Sequence, residues 1–203
     1  MSYSQFTLEQ IKSEFEITLS EKIGFFSKIT EREYSQLLAE TLEYNIPLAL
    51  SINSEKSRSE MIVTPILIEV RKQLTNQISL FSGKDFNVDA EKGLTGFCDF
   101  IISKSPEQLI IEAPIITLVE AKNDNIESGL AQCMAEMIAA QLFNQRHNQE
   151  IKTIYGVITT GSIWKFMQLQ ETTITIDLNE YFLANVGKII GILMNFIESV
   201  NSS

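Results

Sequence analysis

The sequence predicts an α/β domain in which helices cover both faces of a mixed β-sheet. Patterns of helical period occupy both ends of the chain, whereas the middle carries short β-rich runs separated by Gly, Asn, Pro and Ser. One further helical pattern interrupts these runs. Strands enclosed by helices in this way are typical of a sheet that is covered on both faces.

The first fifty residues are predicted to be helical. Thr7 and Gln10 form a capping-box pair, and Thr30 and Glu33 form a second pair that opens another helix. The apolar positions that follow the first pair at helical spacing are Leu8, Ile11, Phe15 and Leu19. Pro47 is expected to end the second helix, because proline lacks the N–H that a helix interior requires.

A third helix is predicted over residues 54–74, with a kink at Pro65. The predicted strands are 77–82, 96–103, 109–112, 117–122, 153–159, 162–169 and 173–177, and the remaining predicted helices are 126–145 and 180–200. A turn at Gly161 is expected to join two of these strands as a hairpin. Since no linker is visible in the sequence, we expect one domain, with a core at 51–203 and a helical N-terminal extension at 1–50 packed on it.

Composition and charge limit the classes of function. The 203 residues include 16 Lys and Arg against 26 Asp and Glu, a net charge of −10, which argues against tight, sequence-independent binding to nucleic acid. A small acidic site that works through a metal ion remains compatible with this charge. One His and two Cys exclude His-rich and four-Cys zinc sites, and Cys98 and Cys133 are predicted to be buried free thiols. The lack of a signal-peptide pattern and of an apolar run near ~20 residues predicts a cytoplasmic protein without membrane contact.

Three polar residues stand out at the ends of two apolar strand patterns. Asp99 is a lone acid within the run Phe97–Ile102, and Glu120 and Lys122 share one face of the strand at 117–122. Placing these charges in apolar strands is costly unless they serve each other or a ligand. If the two strands pair, Asp99 and Glu120 converge, and hard oxygen ligands of this kind suit Mg²⁺ or Mn²⁺.

The pattern Asp99 followed by Glu120-Ala121-Lys122 resembles the D…(D/E)-x-K motif of the PD-(D/E)XK nuclease superfamily, which has the restriction-endonuclease-like fold. The resemblance covers most of residues 54–170. It is closest to the N-terminal nuclease domains of type I restriction motor subunits and to small uncharacterised relatives. Cys98 stands where the name of the motif has proline.

Three further segments carry the resemblance. Residues 54–67 are similar to the helix that precedes the sheet in those domains, and residues 155–166 resemble their final hairpin. Gln132 is similar to a glutamine that many members keep on the helix after the Glu-x-Lys strand. The resemblance therefore implies a restriction-endonuclease-like mixed sheet flanked by helices on both faces.

The resemblance implies a metal-dependent nuclease that hydrolyses phosphodiester bonds of DNA or RNA. Asp99, Glu120 and the carbonyl of Ala121 would hold Mg²⁺ or Mn²⁺, and Lys122 would position the attacking water. Gln132 would orient the lysine or contact substrate. The acid on the first helix of the core would be one of two residues, Glu55 or Glu60, between which the sequence does not decide.

Other interpretations stay open at this point. Glu120 and Lys122 would also fit a surface ion pair, and Gln132 an exposed helix position. The net charge favours a catalytically silent domain that serves assembly or regulation, and a third interpretation is a nuclease that needs a partner chain to bind nucleic acid. The apolar stripe of the C-terminal helix is compatible with such a partner, with a homodimer or with packing on its own sheet.

Overall fold

The computed structural model describes residues 1–75 and 77–200, and within these ranges eight strands form one mixed sheet with helices on both faces. The strands are β1 (Thr18–Lys22), β2 (Ser79–Asp85), β3 (Phe97–Ser103), β4 (Ile115–Ala121), β5 (Thr153–Thr159), β6 (Ile163–Gln170), β7 (Thr173–Asp177) and β8 (Tyr181–Phe182). The α-helices are α1 (Leu8–Glu14), α2 (Gln36–Ile52), α3 (Glu55–Arg58), α4 (Thr64–Gln73), α5 (Leu130–Arg146) and α6 (Val186–Ser199). The predicted α/β class with a mixed, helix-covered sheet is confirmed.

The strands follow the order β1-β7-β6-β5-β4-β3-β2, and β8 pairs with β6. Strand β4 is antiparallel to β3 and parallel to β5, and all seven of its residues are buried. A strand that is buried on both faces is expected to be a nearly continuous apolar run, and the sequence of β4 is such a run. The antiparallel pairing brings the start of β3 to the same end of the sheet as the end of β4.

Two apolar layers hold the sheet between helices. Helices α2, α4 and α6 pack on one face, and α1 and α5 pack on the other. The apolar stripe of α6 is buried in the first layer, so it packs on the sheet of its own chain. No helix in the described part of the chain is long and apolar enough to cross a membrane.

The prediction of a wholly helical N-terminal segment is wrong between Glu14, where α1 ends, and Gln36, where α2 begins. Glu16 has φ +55°, which the α-helix does not allow, and the chain then forms β1. Leu19 lies on this strand and pairs with Ile174 of β7. The backbone hydrogen bonds that β1 gains along β7 and the apolar layer under Leu19 outweigh the local helical spacing.

The second helix also begins and ends elsewhere than predicted. Helix α2 begins at Gln36, and the side chain of Ser35, not of Thr30, accepts the capping bond from the backbone N–H of Leu38. The helix continues through Pro47. Residue 43, whose carbonyl the proline leaves without an N–H, is exposed, so water can satisfy that carbonyl.

Ser35→Ala is expected to lower the free energy of unfolding by about 0.5–2 kcal/mol, the usual effect of removing an N-cap. Ser35 also donates to the Oε2 atom of Glu69 at 2.7 Å, so the substitution leaves that buried carboxylate short of a donor. Thr30→Ala, at the exposed position of the predicted cap, is the control and should change stability by less than about 0.5 kcal/mol. Urea unfolding of both variants measures the difference. Equal effects would contradict the assignment of the cap to Ser35.

The remaining elements agree with the predictions except at three places. Helical structure extends over 55–73 as predicted, but residues Ser59–Val63 form a π-helical turn. Pro65 follows this turn, and the carbonyl of Met61, four residues before it, accepts a hydrogen bond from the Nδ2 atom of Asn45 at 2.9 Å in place of the N–H that proline lacks. Residues 109–112 form no strand, and Leu109 and Ile110 are exposed. The C-terminal helix begins at Val186 rather than near residue 180, because Tyr181–Phe182 pairs with β6 instead.

Candidate active site

The ends of β3 and β4 bring the predicted catalytic residues together. Phe100 lies opposite Val119 in the antiparallel pairing, so Asp99 and Glu120 follow at neighbouring positions. The Oδ2 atom of Asp99 accepts a hydrogen bond from the backbone N–H of Ala121 at 2.8 Å. This bond fixes the Asp99 carboxylate beside the strand that carries Glu120.

Glu120 and Lys122 form a buried ion pair. The Nζ atom of Lys122 donates to the Oε1 atom of Glu120 at 2.5 Å, and Glu120 is only 2% exposed. The other carboxylate oxygen, Oε2, is buried and has no hydrogen-bond partner. The interpretation of this pair as a surface ion pair is therefore wrong, because the carboxylate is buried. Burying a carboxylate is costly unless both of its oxygens are satisfied.

Lys122 is held by its neighbours on three sides. Its backbone N–H donates to the carbonyl of Thr159 at 2.8 Å, which keeps it alongside β5. Its ammonium also donates to the Oε1 atom of Gln132 at 3.2 Å, so this partly buried glutamine of α5 contacts the lysine, as the resemblance implies. Gly129 lies against the aliphatic stem, where an added Cβ would be 3.1 Å from the Cε atom of Lys122.

Glu136 belongs to the same cluster, although it is not among the residues predicted for the site. It lies one turn after Gln132 on α5, is fully buried, and accepts from the Nε2 atom of Gln132 at 3.2 Å. Its Oε2 atom, like that of Glu120, is buried without a donor from another kind of side chain, and the two carboxyl groups interact with each other, so one of them is favoured in its protonated form. The sequence signal is a lone acid within the apolar run 131–140, which has no reason to be buried unless it serves a polar neighbour.

Burial and mutual repulsion shift the pKa values of this cluster. Burial raises the pKa of Asp99, and burial together with the charge of Asp99 raises the pKa of Glu120 to about 7. Burial, with the charge of Glu120, raises the pKa of Glu136 well above its ordinary value. Burial alone would lower the pKa of Lys122, but the Glu120 carboxylate raises it, so the lysine stays charged. The charge of Lys122 acts on Glu120 and Asp99, whereas Glu136 has no such cation among the described residues and its pKa is raised furthest.

A cavity of about 270 Å³ opens beside Asp99. Its lining consists of Glu55, Lys56, Ser59, Glu60, Thr64, Ser82, Gly83, Asp99 and Ala121. The two acids predicted for the first helix of the core therefore lie at one opening. A wider cavity of about 840 Å³ lies toward β1 and β7, and the predicted site residues are outside it.

Glu55 and Glu60 differ in what they contact. Glu60 lies 3.7 Å from the ammonium of Lys56, whereas the charge of Glu55 contributes to raising the pKa of Lys122. Arg58 ties this part of the helix to the β5–β6 hairpin by donating to the carbonyl of Thr160 at 3.0 Å. Both acids are exposed, and Glu55 is the one whose field reaches the lysine.

Among the residues that the structure describes, no three His, Cys, Asp or Glu side chains are gathered as a metal-binding group. The oxygen atoms available at the predicted site are the carboxylates of Asp99 and Glu120. Mg²⁺ is usually bound by one or two carboxylates and keeps several water ligands, so a pair of carboxylates is a sufficient protein contribution.

The comparisons with known proteins identify no relative: no protein-family model matches the chain, and no curated protein matches its sequence. Its function has therefore to be inferred from the side chains at the ends of β3 and β4.

Proposed function

We propose that the protein is a metal-dependent nuclease of the restriction-endonuclease-like fold, hydrolysing phosphodiester bonds through Asp99, Glu120 and Lys122. The observation that carries the proposal is the state of Glu120. One oxygen of this buried carboxylate accepts from Lys122, and the other is buried beside the carboxyl group of Glu136 without a donor from any other side chain. A lysine held between a buried carboxylate and Gln132 at the strand ends has a clear use in stabilising charge on a phosphoryl oxygen. An exposed ion pair would serve stability alone.

The residues present fit a divalent cation. Asp99, Glu120 and the carbonyl of Ala121 would hold Mg²⁺ or Mn²⁺, which prefer hard oxygen ligands. The convergence of Asp99 and Glu120 supports this assignment, because a cation held by both would favour the ionised form of the Glu120 carboxylate, whose pKa burial and the charge of Asp99 raise to about 7. When bound, such an ion lowers the pKa of a coordinated water and neutralises charge on phosphoryl oxygens.

The side chains of this chain supply the remaining functions. The ammonium of Lys122 donates to the attacking water or to a non-bridging phosphate oxygen, and Glu120 keeps it in position. Gln132 restricts the lysine from the side of α5 through the 3.2 Å contact. Glu55 lies across the cavity, where its carboxylate favours the charged form of Lys122.

Calorimetric titration of Mg²⁺ and Mn²⁺ tests the proposal. We expect the wild-type chain to bind the ion, and Asp99→Asn or Glu120→Gln to weaken binding at least about tenfold, because each removes a charged oxygen ligand. Asp124→Asn removes an exposed acid from the loop just after Lys122 and serves as the control, with circular dichroism to confirm folding. Unchanged metal affinity in folded Glu120→Gln would contradict the proposed site.

A second candidate is a catalytically silent domain of the same fold. The cavity favours it, since three acids and one lysine line the opening and the net charge of the chain is −10. Phosphate backbones are repelled by such a surface unless a cation or a partner chain intervenes. Cleavage of DNA or RNA by the metal-loaded chain alone favours the nuclease, cleavage only with a second protein favours the partner-dependent form, and metal binding without cleavage favours the silent domain.

A further inference from the structure

An exposed aromatic residue lies close to the candidate site along β3. Phe97 is the first residue of β3, two positions before Asp99, and it is 63% exposed. Cys98, between them, is buried in the layer that includes α5. Phe97 therefore points away from that layer, and Asp99 lines the cavity that α3 and the π-helical turn border on the other face.

The charges at this opening disfavour duplex nucleic acid. The lining of the cavity includes three acids, Glu55, Glu60 and Asp99, against one cation, Lys56, which is already 3.7 Å from Glu60. Double-stranded DNA has one phosphate charge per ~1.7 Å of axis and is bound mainly through Lys and Arg, which are sparse here. A single strand has a lower charge density and presents the faces of its bases, which a duplex keeps stacked inside.

We propose that the substrate of this site is single-stranded nucleic acid, with one unpaired base stacked on the ring of Phe97 while the adjoining phosphate lies at Asp99 and Lys122. The assignment of the reacting phosphate rests on the function proposed above, whereas the stacking does not require cleavage. Stacking on an aromatic ring is independent of base sequence, and it provides affinity where phosphate contacts are few.

The location of Phe97 distinguishes it from other exposed apolar residues. Single apolar side chains on a surface are common and need no function. Ile23, which is 82% exposed, follows β1 at the opposite edge of the sheet and is such a residue. Phe97 combines a flat ring with a position two residues before a candidate catalytic acid on the same strand.

The test measures binding separately from cleavage. Fluorescence anisotropy follows labelled 15-nucleotide DNA and RNA strands, and their duplexes, on a Lys122→Met parent in Mg²⁺ and on the wild-type chain in EDTA. We expect single strands to bind at least about tenfold more tightly than duplexes. Phe97→Ala should weaken single-strand binding about 5- to 150-fold, which corresponds to one lost stack.

Two features separate stacking from a general surface effect. Phe97→Trp should retain affinity within about threefold, and the slope of log affinity against log salt should be the same in Phe97→Ala as in the parent, because no phosphate contact is lost. Ile23→Ala is the matched control and should leave binding unchanged.

Several results would overturn the inference: equal binding of duplex and single strand, no binding of single strands, or single-strand affinity within twofold of the parent in Phe97→Ala. Tighter binding of the DNA strand or of the RNA strand would show which of the two nucleic acids the site takes. If wild type in Mg²⁺ cleaves nothing while Phe97-dependent binding of single strands is intact, the nuclease proposal fails and this inference stands.

Discussion

Lys122→Met is expected to reduce phosphodiester cleavage by about 10²- to 10⁴-fold, the range typical for loss of a group that transfers a proton or stabilises transition-state charge. The ammonium is the cation in direct contact with Glu120, at 2.5 Å, and it lies between that carboxylate and Gln132. Methionine keeps the length and apolar packing of the stem but removes the charge. Because the lost interactions concern the transition state, kcat should fall far more than KM rises.

Cleavage of labelled single- and double-stranded substrates in Mg²⁺ measures this effect, after circular dichroism has shown that the variant is folded. Lys56→Met is the matched control, since Lys56 lines the same cavity but its side chain is 82% exposed. That variant should retain activity within about threefold. Folded Lys122→Met with nearly normal kcat would remove the lysine from the proposed mechanism.

Much of the sheet could be predicted because its strands carry local signals. Strands β5 and β7 match the predicted ranges 153–159 and 173–177, since their apolar alternation is bounded by turn residues. Strand β1 could not be predicted in this way. It is held by parallel pairing with residues about 155 positions later in the chain, and its own sequence continues a helical spacing. Such long-range pairing leaves no mark in a local pattern.

The residues of the candidate site also differ in whether the sequence could predict them. Asp99, Glu120 and Lys122 are polar residues in apolar strands, so their burial could be anticipated from the sequence alone. Gln132 required the resemblance to a known motif. Glu136 required the structure, because only the packing of α5 over β4 determines that the one acid of this helix is buried against Glu120.

Glu136→Gln is expected to stabilise the metal-free chain, and to do so increasingly as the pH rises. The pKa of Glu136 is raised above its ordinary value of 4.5, chiefly by burial, so the folded state holds a proton that the unfolded state releases. Its contribution to stability is complete below about pH 4.5 and is lost as the pH rises through the folded pKa. Each unit by which the pKa is raised corresponds to about 1.4 kcal/mol lost at high pH. Glutamine has nearly the same shape, can still accept from Gln132, and does not ionise.

Urea unfolding of wild type and Glu136→Gln in EDTA at pH 5, 7 and 9 measures this dependence. We expect the stability difference to grow from near zero at pH 5 to at least about 1.4 kcal/mol at pH 9. The ionisable groups that interact with Glu136 are Asp99 and Cys98 of β3, Glu120 of β4, Cys133 of α5, and Tyr3, which precedes α1. Glu127→Gln, at an exposed acid just before α5, is the control and should show no such trend. A difference that is constant from pH 5 to pH 9 would mean that Glu136 ionises alike in the folded and unfolded states, and burial beside Glu120 would then not raise its pKa.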